Sequence, residues 1–250
     1  MTSQEKPVYF IVGGSSGIGA EVARQCAAKG FRLLVSGRDE ERLEAIGEET
    51  GAMTVKLEAR DSAAVDVAFS QGMEHFGRVD GVVNCAGSIL FKPAHLISDS
   101  EFADTIGINL ITAFNVLRAA SRIMMRQEGG GSIVLCSSVA ARRGLINHEA
   151  IAASKAGVEG LALAAAATYA KSKIRINCVA PGLTRTPLAR SLTDNPAIAK
   201  ASAALHPLGR LGEAHEVAAA ISWLLDPGQS WITGQVLGVD GGFASLQARP

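Results

Sequence analysis

The sequence has no surplus of either charge. Lys and Arg total 24, Asp and Glu total 24, and the formal net charge of the 250 residues is zero. Binding nucleic acid by neutralising phosphates needs a cationic surplus, so no nucleic-acid partner is expected. The same balance removes the basic patch that would hold a chain on an anionic membrane. Aromatic residues are sparse at 5%, and tyrosine occurs only twice, as Tyr9 and Tyr169. The four cysteines, Cys26, Cys85, Cys136 and Cys178, are widely separated and form no CxxC pair. Each lies in an apolar run with no histidine at ligand spacing, which predicts buried free thiols and a reducing compartment. No HExxH motif or carboxylate cluster points to a metal. The N-terminal residues 1–7 lack an apolar signal core. The longest uncharged helical stretch, 160–170, is too short to span a bilayer. A cytoplasmic chain with a small-molecule substrate and no membrane partner is expected.

What is present is an alternation of short apolar runs with longer helical patterns. The runs are 8–12, 32–36, 53–57, 79–83, 132–136, 174–179 and 235–239. Most are rich in Val, Ile and Leu without polar alternation, as strands covered on both faces are. Helical patterns fall at 17–29, 40–49, 63–76, 99–127, 148–170 and 215–225. Right-handed connections between these units predict an α/β fold, a single-domain Rossmann-type doubly wound parallel sheet of about seven strands with helices on both faces, over residues 1–250. Segments 88–98 and 181–210 read as loops over the C-terminal edge of the sheet, the second interrupted by Pro187, Pro196 and Pro207.

Gly13-Gly14-Ser15-Ser16-Gly17-Ile18-Gly19 follows the first strand directly and opens a helix. Glycines allow a tight turn and a close approach to a pyrophosphate, and the helix N-terminus adds free N–H groups and a positive dipole end. Gly13, Ser15, Ser16, Gly17, Ile18 and Gly19 are therefore candidate cofactor-binding residues. The second strand ends in Gly37-Arg38, where an NAD site would carry an acidic residue for the ribose hydroxyl. A guanidinium suits a 2′-phosphate, so NADP(H) is preferred and NAD(H) remains an alternative. The plainer reading of Arg38 is a surface pair with Asp39 or Glu40.

Together with these features, several motifs in order resemble the short-chain dehydrogenase/reductase family, over nearly the whole chain. Asn84-Cys85-Ala86-Gly87 is similar to the family's Asn-Asn-Ala-Gly, with Cys85 as a departure; Gly13 likewise replaces a usual threonine. Asn109 matches the family's active-site asparagine, Ser137-Ser138 its serine region, and Ala153-Ser154-Lys155-Ala156-Gly157 its lysine motif. Pro181-Gly182, Thr233-Gly234 and Val239-Asp240-Gly241-Gly242 complete the resemblance. It implies hydride transfer between a nicotinamide and a carbonyl carbon. It also implies cofactor contacts from Asn84, Ala86, Gly87, Lys155, Pro181, Gly182 and Thr184.

In the family a tyrosine lies four residues before the lysine and thirteen after the serine. Counting from Lys155 reaches Ile151, and from there Ser138. The tyrosine phenol supplies the proton to the nascent alkoxide, and an isoleucine cannot. Tyr169 lies 18 residues beyond Ile151 on the same helical pattern, roughly 27 Å away at the rise of an α-helix. Tyr9 reads as a core aromatic. His148 is the replacement candidate, because positions 148, 151, 152 and 155 share one helix face if the helix has begun. Alternatively it sits in the first turn after an Asn147 cap, facing water. Glu149 points elsewhere on the helix, and His95 and His206 lie in the two loops, where solvent exposure is the ordinary expectation.

The catalytic set read from the sequence is thus Asn109, Ser138, Lys155 and His148. The expected function is an NADP(H)-dependent oxidoreductase interconverting a carbonyl and a secondary alcohol with a non-standard proton donor. The alternatives are an impaired NADP(H)-binding protein serving as sensor or partner subunit, or a lyase or isomerase on the same scaffold. The small apolar stretch 162–170 must be buried on most faces, and by resemblance implies a homodimer or homotetramer.

Overall fold

The computed structural model describes residues 6–247, so the first five and last three residues of the expected domain lie outside it. The seven apolar runs form one parallel sheet. Its strands are β1 (Val8–Val12), β2 (Arg32–Gly37), β3 (Met53–Lys56), β4 (Gly81–Asn84), β5 (Gly131–Cys136), β6 (Ile174–Pro181) and β9 (Val236–Val239). Their order is β3-β2-β1-β4-β5-β6-β9, so the winding direction reverses between β1 and β4. A crevice opens at such a reversal, at the C-terminal ends of the strands.

Strand alternation sorts the core into two layers. Val8, Phe10 and Val12 of β1 pack with α3 (Ser62–Phe76), α5 (Thr112–Met124) and α6 (Glu149–Tyr169). Tyr9 and Ile11 face the other way, onto α1 (Gly17–Ala28), α2 (Glu40–Thr50) and α9 (Ala214–Leu225). With both faces covered, polar alternation would bury unpaired groups, which explains the uninterrupted apolar runs.

Four expectations are corrected. The helix expected over 99–127 is divided into α4 (Asp99–Ile106), a π-helical turn over Gly107–Ile111, and α5, which stops at Met124. Apolar periodicity runs through this interruption and so does not report it. The helix expected from 148 begins at Glu149, and His148 is its N-cap residue with φ −111° and ψ 15°. The preceding Asn147 adopts φ +63°, which turns the chain before the helix can start.

The segment 181–210 is not simply a loop. Its proline at Pro196 opens α8 (Pro196–Leu205), capped by Asn195, whose Oδ1 accepts from the N–H groups of Ala197 and Ile198. Proline fits the first helical turn, where its missing N–H costs nothing, so it started a helix here instead of breaking one. A shorter helix, α7 (Arg190–Thr193), precedes it, and β7 (Thr184–Arg185) pairs with β8 (Gly212–Glu213) to close the segment back on itself. Lastly, the stretch Glu149–Ser172 is long and apolar enough to cross a membrane by length and composition alone. Here Val158, Ala162, Ala165 and Ala166 of α6 instead pack into the sheet's core.

Candidate active site

Two cavities meet over the C-terminal ends of β1, β4, β5 and β6. The smaller, about 370 Å³, is lined by Gly13, Ser15, Ser16, Gly17, Ile18 and Gly19, and by Gly37, Arg38, Ala86 and Gly87. The larger, about 630 Å³, contains Asn109, Ser138, His148, Ile151, Lys155, Pro181, Gly182 and Thr184. Ile18, Cys85, Gly87, Thr186 and Leu188 line both.

The smaller cavity owes its shape to missing side chains. Gly13 has φ +74°, and a Cβ there would lie 2.5 Å from the Ala86 nitrogen. A Cβ on Gly19 would lie 2.2 Å from the Gly13 carbonyl oxygen. Neither position admits another residue without moving backbone. Ser16 caps α1 in an extended conformation but its side chain takes none of the first-turn N–H groups. Those donors and the dipole end are left facing the cavity, which suits a pyrophosphate. The glycine cradle therefore fits a dinucleotide.

Arg38 stands at the far end of this cavity with 66% of its side chain exposed, and its Nη1 lies 3.9 Å from Glu58 Oε2. It does not pair with Asp39 or Glu40: Asp39 bonds Arg42 at 3.1 Å and Glu40 bonds Lys56 at 3.2 Å. Arg42 and Arg190 line the same cavity, two further guanidiniums not singled out in the sequence. The signal for Arg42 was its position in the first turn of α2, four residues after Arg38.

Asn84 lines neither cavity. It is buried at the end of β4, where Oδ1 accepts from Ala86 N at 3.1 Å and Nδ2 donates to Thr112 Oγ1 at 3.2 Å. It shapes the turn that presents Ala86 and Gly87.

In the larger cavity, Asn109 sits in the π-helical turn and is 1% exposed. Its Nδ2 donates to Ser88 Oγ at 2.9 Å and to the Thr105 carbonyl at 3.0 Å, while Oδ1 accepts from Ser88 N at 3.1 Å. The amide thus clamps the loop that leaves β4. The extra residue of the π-turn brings the Asn109 side chain to this inner position. Ser138 follows β5 and caps a short 3-10 turn, its Oγ accepting from Ala140 N at 3.2 Å.

Lys155 is buried in the second turn of α6, and its Nζ donates to the Cys136 carbonyl at 2.8 Å. Burial pulls its pKa below the ordinary lysine value, against the opposing influence of the nearby Cys136, Cys85 and Cys178 thiols. Ile151 lies one turn earlier on the same face of α6 and is 5% exposed. His148 Nδ1 lies 2.6 Å from the Ile146 carbonyl, which can only accept, so Nδ1 donates and Nε2 is the nitrogen free to exchange a proton. Its ring stacks edge-on against Phe91 at 4.6 Å.

Neither tyrosine reaches the cavity. Tyr9 is buried in the sheet core and donates to the Leu225 carbonyl at 3.3 Å, and Tyr169 ends α6. His206, expected in solvent, is 4% exposed and lines the larger cavity. Its ring packs on Phe243 at 4.9 Å because α8 delivers it inward, an arrangement that depends on the helix the proline pattern concealed. Two of the cysteines depart from expectation as well: Cys85 and Cys136 are only half-buried and line the larger cavity. No Asp or Glu lines that cavity.

Residues 12–244 match the family profile described as enoyl-(acyl carrier protein) reductase. The chain is 35% identical over 234 residues to the 3-oxoacyl-[acyl-carrier-protein] reductase MabA of Mycobacterium tuberculosis, covering 94% of this chain and 91% of that protein. The structure of a short-chain type dehydrogenase/reductase from Mycobacterium ulcerans superposes with a TM-score of 0.93 at 31% identity, covering 99% of this chain and 93% of that one. The chain belongs to the short-chain dehydrogenase/reductase family. An actinorhodin polyketide ketoreductase, solved with NADPH, also superposes on this family member with a TM-score of 0.92 at 29% identity, over 98% of this chain and 100% of that one. The seven-stranded parallel sheet, with helices on both faces, is thus that of the dehydrogenase/reductase fold.

Proposed function

We propose that this dehydrogenase/reductase is NADP(H)-dependent and interconverts a carbonyl and a secondary alcohol, with a proton donor other than tyrosine. The observation that carries the reading is the joining of two cavities: one glycine-lined and ending at Arg38, the other holding Asn109, Ser138 and Lys155. NADP(H) binding is supported by the ketoreductase solved with NADPH and by the absence of an acidic residue at Gly37-Arg38.

The bound cofactor would supply the hydride. Lys155, already anchored on the Cys136 carbonyl, would hold the nicotinamide ribose. Ser138 Oγ would donate to the substrate carbonyl oxygen and orient it. Asn109 would keep the Ser88 loop in place at the rim. Ile151 stands where the family resemblance expects the acid, and it excludes water without donating a proton. His148 Nε2 is the best-situated titratable group in the same cavity, in a wall otherwise free of carboxylates. A water held near Ser138, or a hydroxyl of the substrate itself, is the remaining source. The apolar Ile151 also favours a second reading, an NADP(H)-binding sensor or partner subunit whose turnover is impaired.

Two measurements separate these readings. Fluorescence titration is expected to show tighter binding of NADPH than of NADH; equal affinity or a preference for NADH rejects the Arg38 assignment. NADPH oxidation across a panel of apolar ketones is expected to reveal turnover that His148→Ala abolishes while NADPH binding persists. Retained turnover in that variant removes His148 from the role, and no turnover with any carbonyl favours the sensor. We also infer a homodimer or homotetramer, supported by apolar side chains left in solvent, Leu163 of α6 at 63% and Trp231 at 97% exposure.

A further inference from the structure

The floor between the two cavities holds two thiols side by side. β4 and β5 run parallel with Asn84 opposite Leu135, so the next residues, Cys85 and Cys136, are neighbours across the strands. Their sulfurs lie 3.6 Å apart. Adjacent strands are spaced about 4.8 Å, which is within the roughly 4.4–6.8 Å between Cα atoms that a disulfide bridges. Both thiols are free and only half-buried, and both line the larger cavity. The other two cysteines differ: Cys26 is buried against Ser222, and Cys178 is buried against the Val158 carbonyl. Cys85 stands where the family resemblance has an asparagine, so the pair depends on that departure.

The surroundings make the two sulfurs unequal. The bond between the two sulfurs, with Lys155 nearby, holds the Cys136 thiol below its usual range, while the same bond and burial push Cys85 up. Thiolate character is what makes a cysteine nucleophilic. Lys155 Nζ, 2.8 Å from the Cys136 carbonyl, sets a cation beside that residue, and on this geometry Cys136 is assigned as the attacking sulfur and Cys85 as the resolving one.

We propose that Cys85 and Cys136 form a redox-active dithiol, a modification site at the junction of the two cavities that hydroperoxides convert to a disulfide. The Cys136 thiolate attacks one peroxide oxygen, and the O–O bond breaks. The departing oxygen takes a proton and leaves as an alcohol, or as water from hydrogen peroxide. Cys136 is then a sulfenic acid. The Cys85 sulfur attacks it, the S–O bond breaks, and water leaves with the Cys85 proton. Two electrons have passed from the thiols to the peroxide. A dithiol reductant returns them by exchange through a mixed disulfide. Intracellular disulfides of this transient kind are catalytic or redox-sensing far more often than structural.

The test uses the full-length protein, reduced, treated with hydrogen peroxide, then alkylated and mapped. Expected is a loss of about 2 Da with a single Cys85–Cys136 cross-link, reversed by dithiothreitol. Cys26 and Cys178 remain alkylatable after unfolding. In Cys85→Asn, which restores the family's residue and is expected to fold, the cross-link is absent. Cys136 instead proceeds to the sulfinic acid, a gain of about 32 Da. Phenylarsine oxide, a dithiol reagent, shields both thiols from alkylation in the parent and does not shield Cys136 in the variant. Persistence of both free thiols after peroxide overturns the proposal. So does a disulfide that uses Cys26, Cys178 or a second copy of the chain.

Discussion

One wall of the smaller cavity is the backbone of a single glycine-rich loop, residues 13–19, whereas the walls of the larger are side chains brought from at least six separate segments. In the first, the atoms that matter are N–H groups and the empty space above glycines. Substitution can only fill that space, as the positions of Gly13 and Gly19 show. In the second, side chains such as those of Ile151 and His148 can be exchanged without moving the chain. That is where Ile151 stands in place of the expected acid, where Cys85 stands in place of asparagine, and where His148 and His206 are gathered. A scaffold can therefore keep its nucleotide end while its chemistry is rewritten at the other.

The largest effect is expected at the backbone-built end. Gly19→Val drives a side chain into the Gly13 carbonyl, and NADPH binding falls beyond detection by fluorescence titration. Measurable affinity in that variant would break the contrast, because the loop would then be adaptable. At the side-chain end, Ile151→Tyr places a phenol one turn from Lys155. Carbonyl reduction is expected to rise by about 10²–10⁴-fold, the usual worth of a positioned general acid, measured as NADPH oxidation. No rise with any carbonyl shows that the cavity has lost the geometry as well as the acid.

A middle-sized effect is expected where the two ends meet different parts of the cofactor. Arg38→Ala weakens NADPH by about 10- to 100-fold, the worth of charge-assisted hydrogen bonds, and leaves NADH unchanged. If both fall together, Arg38 acts on the fold and not on a 2′-phosphate; retention of NADPH affinity would point to Arg42 instead.

The smallest concerns pH. Burial lowers the Lys155 pKa in the folded chain below its unfolded value of 10.5. The folded state then binds fewer protons than the unfolded state in the alkaline window beneath that value, so stability gains as pH rises through it. Lys155→Met removes this gain, seen as a flatter dependence of denaturant midpoint on alkaline pH. An unchanged slope means Lys155 is solvated despite its 6% exposure.

Legibility in the sequence divides along the same line. The glycine loop, Arg38 and all seven strands were visible because each depends on local rules: glycine where Cβ will not fit, apolar runs where both faces are covered. The π-turn at Asn109 was hidden because its flanking helices keep one apolar pattern. Helix α8 was hidden because Pro196 reads equally as a breaker or a first-turn residue, and Asn195 beside it was the clue. His206 followed that error, since its burial comes from α8. His148 lines the larger cavity together with Ile151 and Lys155, one of the two placements the sequence left open. Its place just before the helix was not legible, because Asn147 takes a left-handed conformation that no periodicity reports.

By itself the sequence determined the strand and helix alternation, the dinucleotide cradle, and the absence of tyrosine from position 151. Each is a property of residues near one another in the chain, governed by sterics and hydrophobic period. Only the tertiary structure decided that Cys85 and Cys136, 51 residues apart, lie 3.6 Å from each other. It alone decided that Lys155 bonds the Cys136 carbonyl and that His206 turns inward. The first two depend on which strands pair and in what register, which the packing of the whole sheet settles, and the third on where α8 docks; no one segment decides any of them.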